Sequence, residues 1–278
     1  MNLDCLQNFS RANYYLEPFP HLIINNALNV DLYNKLKEEY DLIIDCFKRC
    51  KDYSISNKRL QFNSINFLGE KRFERTLWRR FILHHTSKEF FLKLLGIFSN
   101  ELEVIYPKLY KKIFKKLEDK NFIGLRKNNN INNFSFDIVS DCQPGINTPV
   151  FAPSSVRGPH VDNPVEIFGG LFYLKDPKDD AGGNLEIYKI KSRPLFINKA
   201  EVVNTEDLEL VKTVEYSENC LVFFLNTDKS IHSISERKKT NYTRNLVNII
   251  FETYKEHKLF DLNYKKNTFF DFFKKLIN

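Results

Sequence analysis

The hydrophobic rhythm of this chain changes once, and that change limits its fold more than any other feature. Through residues 71–119 apolar side chains recur at spacings of three and four. Phe73, Leu77 and Phe81 are followed by Phe90, Phe91, Leu94 and Leu95. After Ser99-Asn100 come Leu102, Ile105, Leu109, Ile113, Phe114 and Leu117. This is the stripe of amphipathic helices. The polar stretch at 127–133, Lys-Asn-Asn-Asn-Ile-Asn-Asn, ends it. Beyond it Phe134, Phe136 and Ile138 alternate with Ser135, Asp137 and Val139, a period of two that belongs to a strand. Strand-like runs follow at 166–174, 185–190, 211–216, 220–225, 230–235 and 244–252. Their short spacing predicts an antiparallel barrel or jelly roll, with residues 191–210 as a loop inserted between strands.

The N-terminal part agrees with helices packed on such a sheet. Residues 17–25 read as a short strand, and Asn29 can cap a helix whose stripe is Leu32, Leu36, Tyr40, Ile43 and Ile44. The expectation is one α+β domain over residues 1–278. It would have a mainly helical N-terminal layer (1–126) packed on one sheet, a sheet core (134–252) and a tail (253–278) ending in a short amphipathic helix. The first ten residues lack a basic start followed by an apolar core, so no secretory signal is expected. No apolar run is long enough to span a bilayer. Five cysteines at irregular spacings read as free thiols in a cytoplasmic protein. The formal charge is +7, but acids are interspersed among the lysines. The densest basic stretch, residues 111–120, has the spacing of a solvated helix face, so neither a nucleic acid nor a membrane is the expected partner.

The residues that carry chemistry lie in the sheet half. In Arg157-Gly-Pro-His160-Val-Asp162 the imidazole and the carboxylate are two apart, and on an extended strand they share a face. A third ligand must come from another strand, and His232 is placed to supply it. Two histidines and one carboxylate on one side of a metal leave the other positions open, which suits non-haem Fe(II) oxygen chemistry. With six histidines in the chain, a His-X-Asp match arises by chance about a third of the time, so its company decides. Arg244 opens the last β-branched run, twelve residues after His232, and its planar fork suits a carboxylate. His21, His84 and His85 read as structural. Adjacent histidines on a helix face about 100° apart, which does not suit two ligands of one metal.

With these residues in place the chain resembles the Fe(II)- and 2-oxoglutarate-dependent oxygenases, in particular their prolyl-hydroxylase-like branch. The resemblance covers residues 134–252 by motif, and more faintly Pro18-Phe-Pro-His-Leu-Ile-Ile-Asn25 and the helix after it. It implies a double-stranded β-helix flanked by helices, with His160, Asp162 and His232 as the metal ligands. It also implies that Arg244 binds the far carboxylate of 2-oxoglutarate with Tyr173 helping, and that Leu185, after the Gly182-Gly183-Asn184 turn, lines the cofactor pocket. Core packing is the other reading of Tyr173. Where many members carry Arg-X-Ser, this chain has Arg244-Asn245-Leu246, so the serine contact is missing or supplied elsewhere. The implied cofactors are Fe(II) and 2-oxoglutarate, with O2 as co-substrate and ascorbate as an optional reductant. The implied reaction hydroxylates an unactivated C–H and releases succinate and CO2. Asp162 favours hydroxylation, because halogenases of this superfamily replace that carboxylate with a small residue. Small-molecule or glycan substrates are the first expectation. Alternatives are a prolyl-type protein hydroxylase and a non-catalytic jelly-roll binding module. Nucleic-acid dealkylases usually carry a second arginine six residues after the first, and here that position is Ile250. Arg157 could meet an anionic substrate at the mouth or make a loop ion pair.

Overall fold

The computed structural model describes residues 2–119, 122–127, 136–192, 197–198, 201–202, 204–253 and 258–261. Six helices are α1 (Val30–Lys48), α2 (Ser64–Gly69), α3 (Leu77–His85), α4 (Lys88–Ile97), α5 (Ser99–Ile105) and α6 (Pro107–Lys116). The strands are β1 (Tyr14–Tyr15), β2 (His21–Ile24), β3 (Arg59–Gln61), β4 (Ile123–Leu125), β5 (Ile138–Asn147), β6 (Glu166–Leu174), β7 (Leu185–Ile190), β8 (Ile197–Asn198), β9 (Glu201–Val202), β10 (Leu208–Val214), β11 (Glu218–Leu225), β12 (His232–Ile234) and β13 (Arg244–Glu252). The main sheet runs β1-β2-β11-β6-β13-β5-β3, with β4 parallel beside β5. A second sheet runs β10-β7-β12.

Alternation along the central strands explains the layers. On β6 and β13, Phe168, Phe172, Val247, Ile249 and Phe251 point one way and join the apolar cluster shared with α1, α3 and α4. Tyr173 and Leu246 point the other way and cluster with Leu185, Ile187 and Ile234 of the second sheet. The helices therefore cover one face of the main sheet and the smaller sheet faces the other. The expected α+β order, helices first and sheet second, is what the chain adopts. Phe134, Ser135 and the helix expected at 267–278 fall outside the described residues.

Local signals set the helix positions. Asn29 caps α1 by accepting the N–H groups of Asp31 and Leu32. The α1 stripe of Leu32, Leu36, Tyr40 and Ile43 is buried. Each such side chain contributes roughly 1.5–3 kcal/mol by leaving water. Tyr40 also joins α1 to the sheet. Its hydroxyl accepts the Gly145 N–H at 2.9 Å, and its proton is shared between Gly145 O and Leu246 O, each at 2.8 Å. Trp78 of α3 donates Nε1–H to Leu36 O at 2.7 Å, tying α3 to α1.

The stretch expected as a plain loop differs. Its described parts form the β8–β9 pair, and β10 begins at Leu208 rather than 211. Val202 N–H donates to Pro159 O at 2.8 Å, and Val202 packs in a small cluster with Val161 and Ile231. The insertion thus runs against the segment that carries His160.

Candidate metal centre

His160 meets β12 through one isolated bridge. Its N–H donates to His232 O at 2.9 Å, and the His232 N–H donates back to His160 O at 3.0 Å. A residue pair that exchanges both bonds has its side chains side by side, and the two ring centres are 4.2 Å apart. A continuous strand through His160 and Asp162 was expected. Residues 161–163 have no strand pairing, and the bridge to His232 does the aligning instead.

Both imidazoles are oriented in the same way. Nδ1 of His160 lies 2.7 Å from Gly158 O, and Nδ1 of His232 lies 2.9 Å from Ser230 O. A carbonyl only accepts, so each Nδ1 carries the proton and each Nε2 presents a lone pair. This is the arrangement of metal-binding histidines. The bare nitrogens converge on one carboxylate. His160 Nε2 is 3.7 Å from Asp162 Oδ1, and His232 Nε2 is 3.8 Å from Asp162 Oδ2. The three ligand atoms all lie within 4.8 Å of one another, a set able to hold a metal ion. Burial, with His232 and Arg157 adding, pushes the His160 imidazole well below its ordinary value, so it stays neutral. Arg157 Nη1 reaches Asp162 Oδ1 at 3.5 Å, which makes the ion-pair reading of Arg157 the observed one. Gly169 on β6 leaves room for this carboxylate. A Cβ there would lie 3.0 Å from the Phe224 ring and 3.2 Å from Asp162 Oδ2.

A cavity of ≈ 370 Å³ adjoins the three ligands, and Arg244 is on its wall. Arg244 is fully buried. Its Nε donates to Gly183 O at 2.8 Å and Nη1 reaches Asn147 Oδ1 at 3.4 Å. Nη2 has no partner among the described residues, nor has Tyr173 Oη or Asn147 Nδ2. The guanidinium carbon of Arg244 is 5.0 Å from the centre of the Tyr173 ring. Buried donors without acceptors are costly; of the three residues, Arg244 is on the cavity wall, while Tyr173 and Asn147 are not. Leu185 is buried in the cluster with Tyr173 and Leu246 rather than exposed on the cavity wall. The positive φ at Gly183, +85°, brings its carbonyl to Arg244.

Asn147 was missed in the sequence. It pairs directly with Arg244 in the β5–β13 register and with Arg59 in the β5–β3 register, so the three side chains stand in one row on one face. The remaining wall is mixed: Val156, Leu171, Phe224, Ile234 and Ile250 are apolar, and the rest is polar. Gln143 Oε1 accepts from Gln61 Nε2 at 2.9 Å and from Asn248 Nδ2 at 3.3 Å. Arg126 pairs with Asp141 at 3.1 Å and with Glu252 at 2.8 Å. Burial, with Asp162 and Glu252 nearby, raises the Glu166 carboxyl well above its usual range. Arg59 donates Nε–H to Gln61 Oε1 at 3.1 Å. It is half-buried and has no ion-pair partner among the described residues, and partial burial and Arg244 hold it below its ordinary value.

No family model matches the chain, and no curated protein matches it. Among solved structures it is similar to a prolyl 4-hydroxylase from Phytophthora capsici, with 14% identity and a TM-score of 0.45 over 92% of this chain and 68% of that one. A Pseudomonas putida prolyl-4-hydroxylase gives 14%, 0.40, 84% and 92%. A Trichoplax adhaerens prolyl hydroxylase, solved with a hypoxia inducible factor peptide fragment, gives 14%, 0.39, 85% and 84%. No helix among the described residues is long and apolar enough to cross a membrane.

Proposed function

We propose that this protein is a non-haem Fe(II), 2-oxoglutarate-dependent dioxygenase built on a double-stranded β-helix. It hydroxylates an unactivated C–H of a small hydrophilic molecule or glycan and releases succinate and CO2. The observation that carries this reading is one cavity with both chemistries on its wall. His160, Asp162 and His232 line it with two pre-oriented imidazoles and a carboxylate, and Arg244 lines it with a buried guanidinium whose Nη2 has no partner among the described residues.

The residues fit the groups they would hold. His160, Asp162 and His232 offer two neutral nitrogens and one carboxylate oxygen, a donor set suited to Fe(II) with positions left open. When bound, the metal and co-substrate supply the O2 chemistry. Arg244 on the cavity wall fixes the far carboxylate of 2-oxoglutarate, with Tyr173 and Asn147 beside its guanidinium. Arg157 pairs with Asp162 at the edge of the ligand set. Gln61, Gln143, Asn248 and Arg59 line the cavity and offer donors and acceptors in rows, which suits a substrate rich in hydroxyl or anionic groups.

The test is succinate release by the full chain given Fe(II), 2-oxoglutarate and O2, with and without panels of small polar metabolites, glycans and proline-containing peptides. Slow uncoupled release, stimulated by a hydrophilic small molecule or glycan and lost in Asp162→Ala, is the expected outcome. Stimulation by peptides alone would transfer the substrate to the prolyl-type reading. No release under any condition refutes the oxygenase assignment.

A further inference from the structure

A second group of ligand-type side chains lies far from the cavity, where the N-terminal segment crosses the end of α3. Asp4, His84 and His85 place their ligand atoms within 4.8 Å of one another. Adjacent histidines were expected to face apart. At the last turn of α3 they do not diverge from a common neighbour: the rings stand at 90°, 5.0 Å between centres, and both approach the Asp4 carboxylate.

His85 is fully buried, and its Nδ1 lies 2.8 Å from Phe81 O, so Nδ1 holds the proton and Nε2 the lone pair. That lone pair accepts the Cys5 N–H at 3.3 Å, and the Cys5 sulfur is 3.1 Å from the same nitrogen, contacts that a metal would displace. His84 Nε2 is buried without a hydrogen-bond partner and stands 3.8 Å from Asp4 Oδ2. Asp4 Oδ1 accepts the Leu6 N–H at 2.9 Å, which leaves Oδ2 directed at the group. A cation is already drawn there: Lys93 Nζ pairs with Oδ2. That lysine side chain is 54% exposed, so it can swing into water when a metal takes its place.

We propose that Asp4, His84 and His85 bind a divalent cation of the zinc class through two nitrogens and one carboxylate oxygen. That donor set suits Zn²⁺ and does not suit Ca²⁺ or Mg²⁺, which take oxygen ligands. Ligand atoms on tetrahedral zinc stand roughly 3.3–3.5 Å apart, given bonds of about 2.0–2.3 Å, so the present set has to contract by about an ångström. The site would clamp residues 4–5 to α3, on the side of the main sheet opposite the cavity.

The test uses the full chain carrying His160→Ala and His232→Ala, so that the central set cannot answer for this one. Zn²⁺ is titrated against a competing chelator, Co²⁺ is the spectroscopic probe, and unfolding is followed with and without Zn²⁺. One equivalent of zinc is expected, with a rise in the unfolding midpoint and a cobalt spectrum without a thiolate charge-transfer band. Adding His84→Ala, a substitution at a partly exposed position, is expected to abolish the uptake and the rise. Cys5→Ser is expected to leave the uptake in place. No zinc uptake by the His160/His232 variant overturns the proposal, as does uptake that His84→Ala leaves unchanged. A thiolate band in the cobalt spectrum overturns the three-ligand assignment.

Discussion

Removing one hydroxyl should make the co-substrate-free protein more stable and the co-substrate bind less tightly. Tyr173 is fully buried, and its hydroxyl has no hydrogen-bond partner among the described residues. The nearby Arg244 carries donors only, so even a contact with it leaves the hydroxyl proton without an acceptor. An unsatisfied buried polar group costs about 1–3 kcal/mol. Tyr173→Phe removes that cost and keeps the ring in its cluster with Leu185, Tyr216 and Leu246. The free protein should therefore gain about 1–3 kcal/mol, which for a chain of this size raises Tm by about 2 °C per kcal/mol. A hydroxyl donating to a carboxylate is worth about 1.5–3 kcal/mol, so 2-oxoglutarate binding should weaken by about 10- to 150-fold. Calorimetric unfolding without ligand gives the first quantity. Titration of 2-oxoglutarate, with Mn²⁺ replacing Fe(II) to prevent turnover, gives the second. A variant that is less stable than the parent, or that binds 2-oxoglutarate with the parent's affinity, refutes the reasoning.

Arg244→Ala removes the charge behind the co-substrate and should cost about 2–5 kcal/mol of 2-oxoglutarate binding. Undiminished turnover at low 2-oxoglutarate would rule the assignment out. Gly169→Val forces a side chain against Phe224 and the Asp162 carboxylate. It should lower metal content at fixed Fe(II) and destabilise by about 1–3 kcal/mol, and a normal metal titration would contradict this. Burial, with His84 adding, pushes the His85 imidazole down to about 3, whereas in the unfolded chain it titrates near ~6.5. Between those values the unfolded state binds the extra proton, so stability is full above about pH 6.5 and falls as pH drops, by up to ~1.4 kcal/mol per pH unit from this residue. His85→Gln should flatten the acid limb of a stability–pH curve, and an unchanged slope would count against it.

The sequence alone determined the elements and the types of residue that carry chemistry. Runs at 166–174, 185–190 and 244–252 are strands at the same bounds, because alternation is a local property that neighbouring residues fix. Asn29 caps α1 as its side chain predicts. His160, Asp162 and His232 were legible as a set because the sheet half holds two histidines, one of them two residues from a carboxylate. Which face of a strand meets water and which meets a cavity is not local. On β5, Asp141, Gln143 and Asn147 alternate with apolar residues as on a solvated strand, yet all are buried. Their role exists only because a second sheet stands over that face and β3 brings Arg59 into the same row. For the same reason Leu185 went to the core beside Tyr173 instead of the cavity wall. Asp4 reached His84 and His85 across some eighty residues, and that meeting is a product of how the N-terminal segment docks on α3. Spacing along the chain decides what a segment can become, and only the packing of distant segments decides what its side chains face.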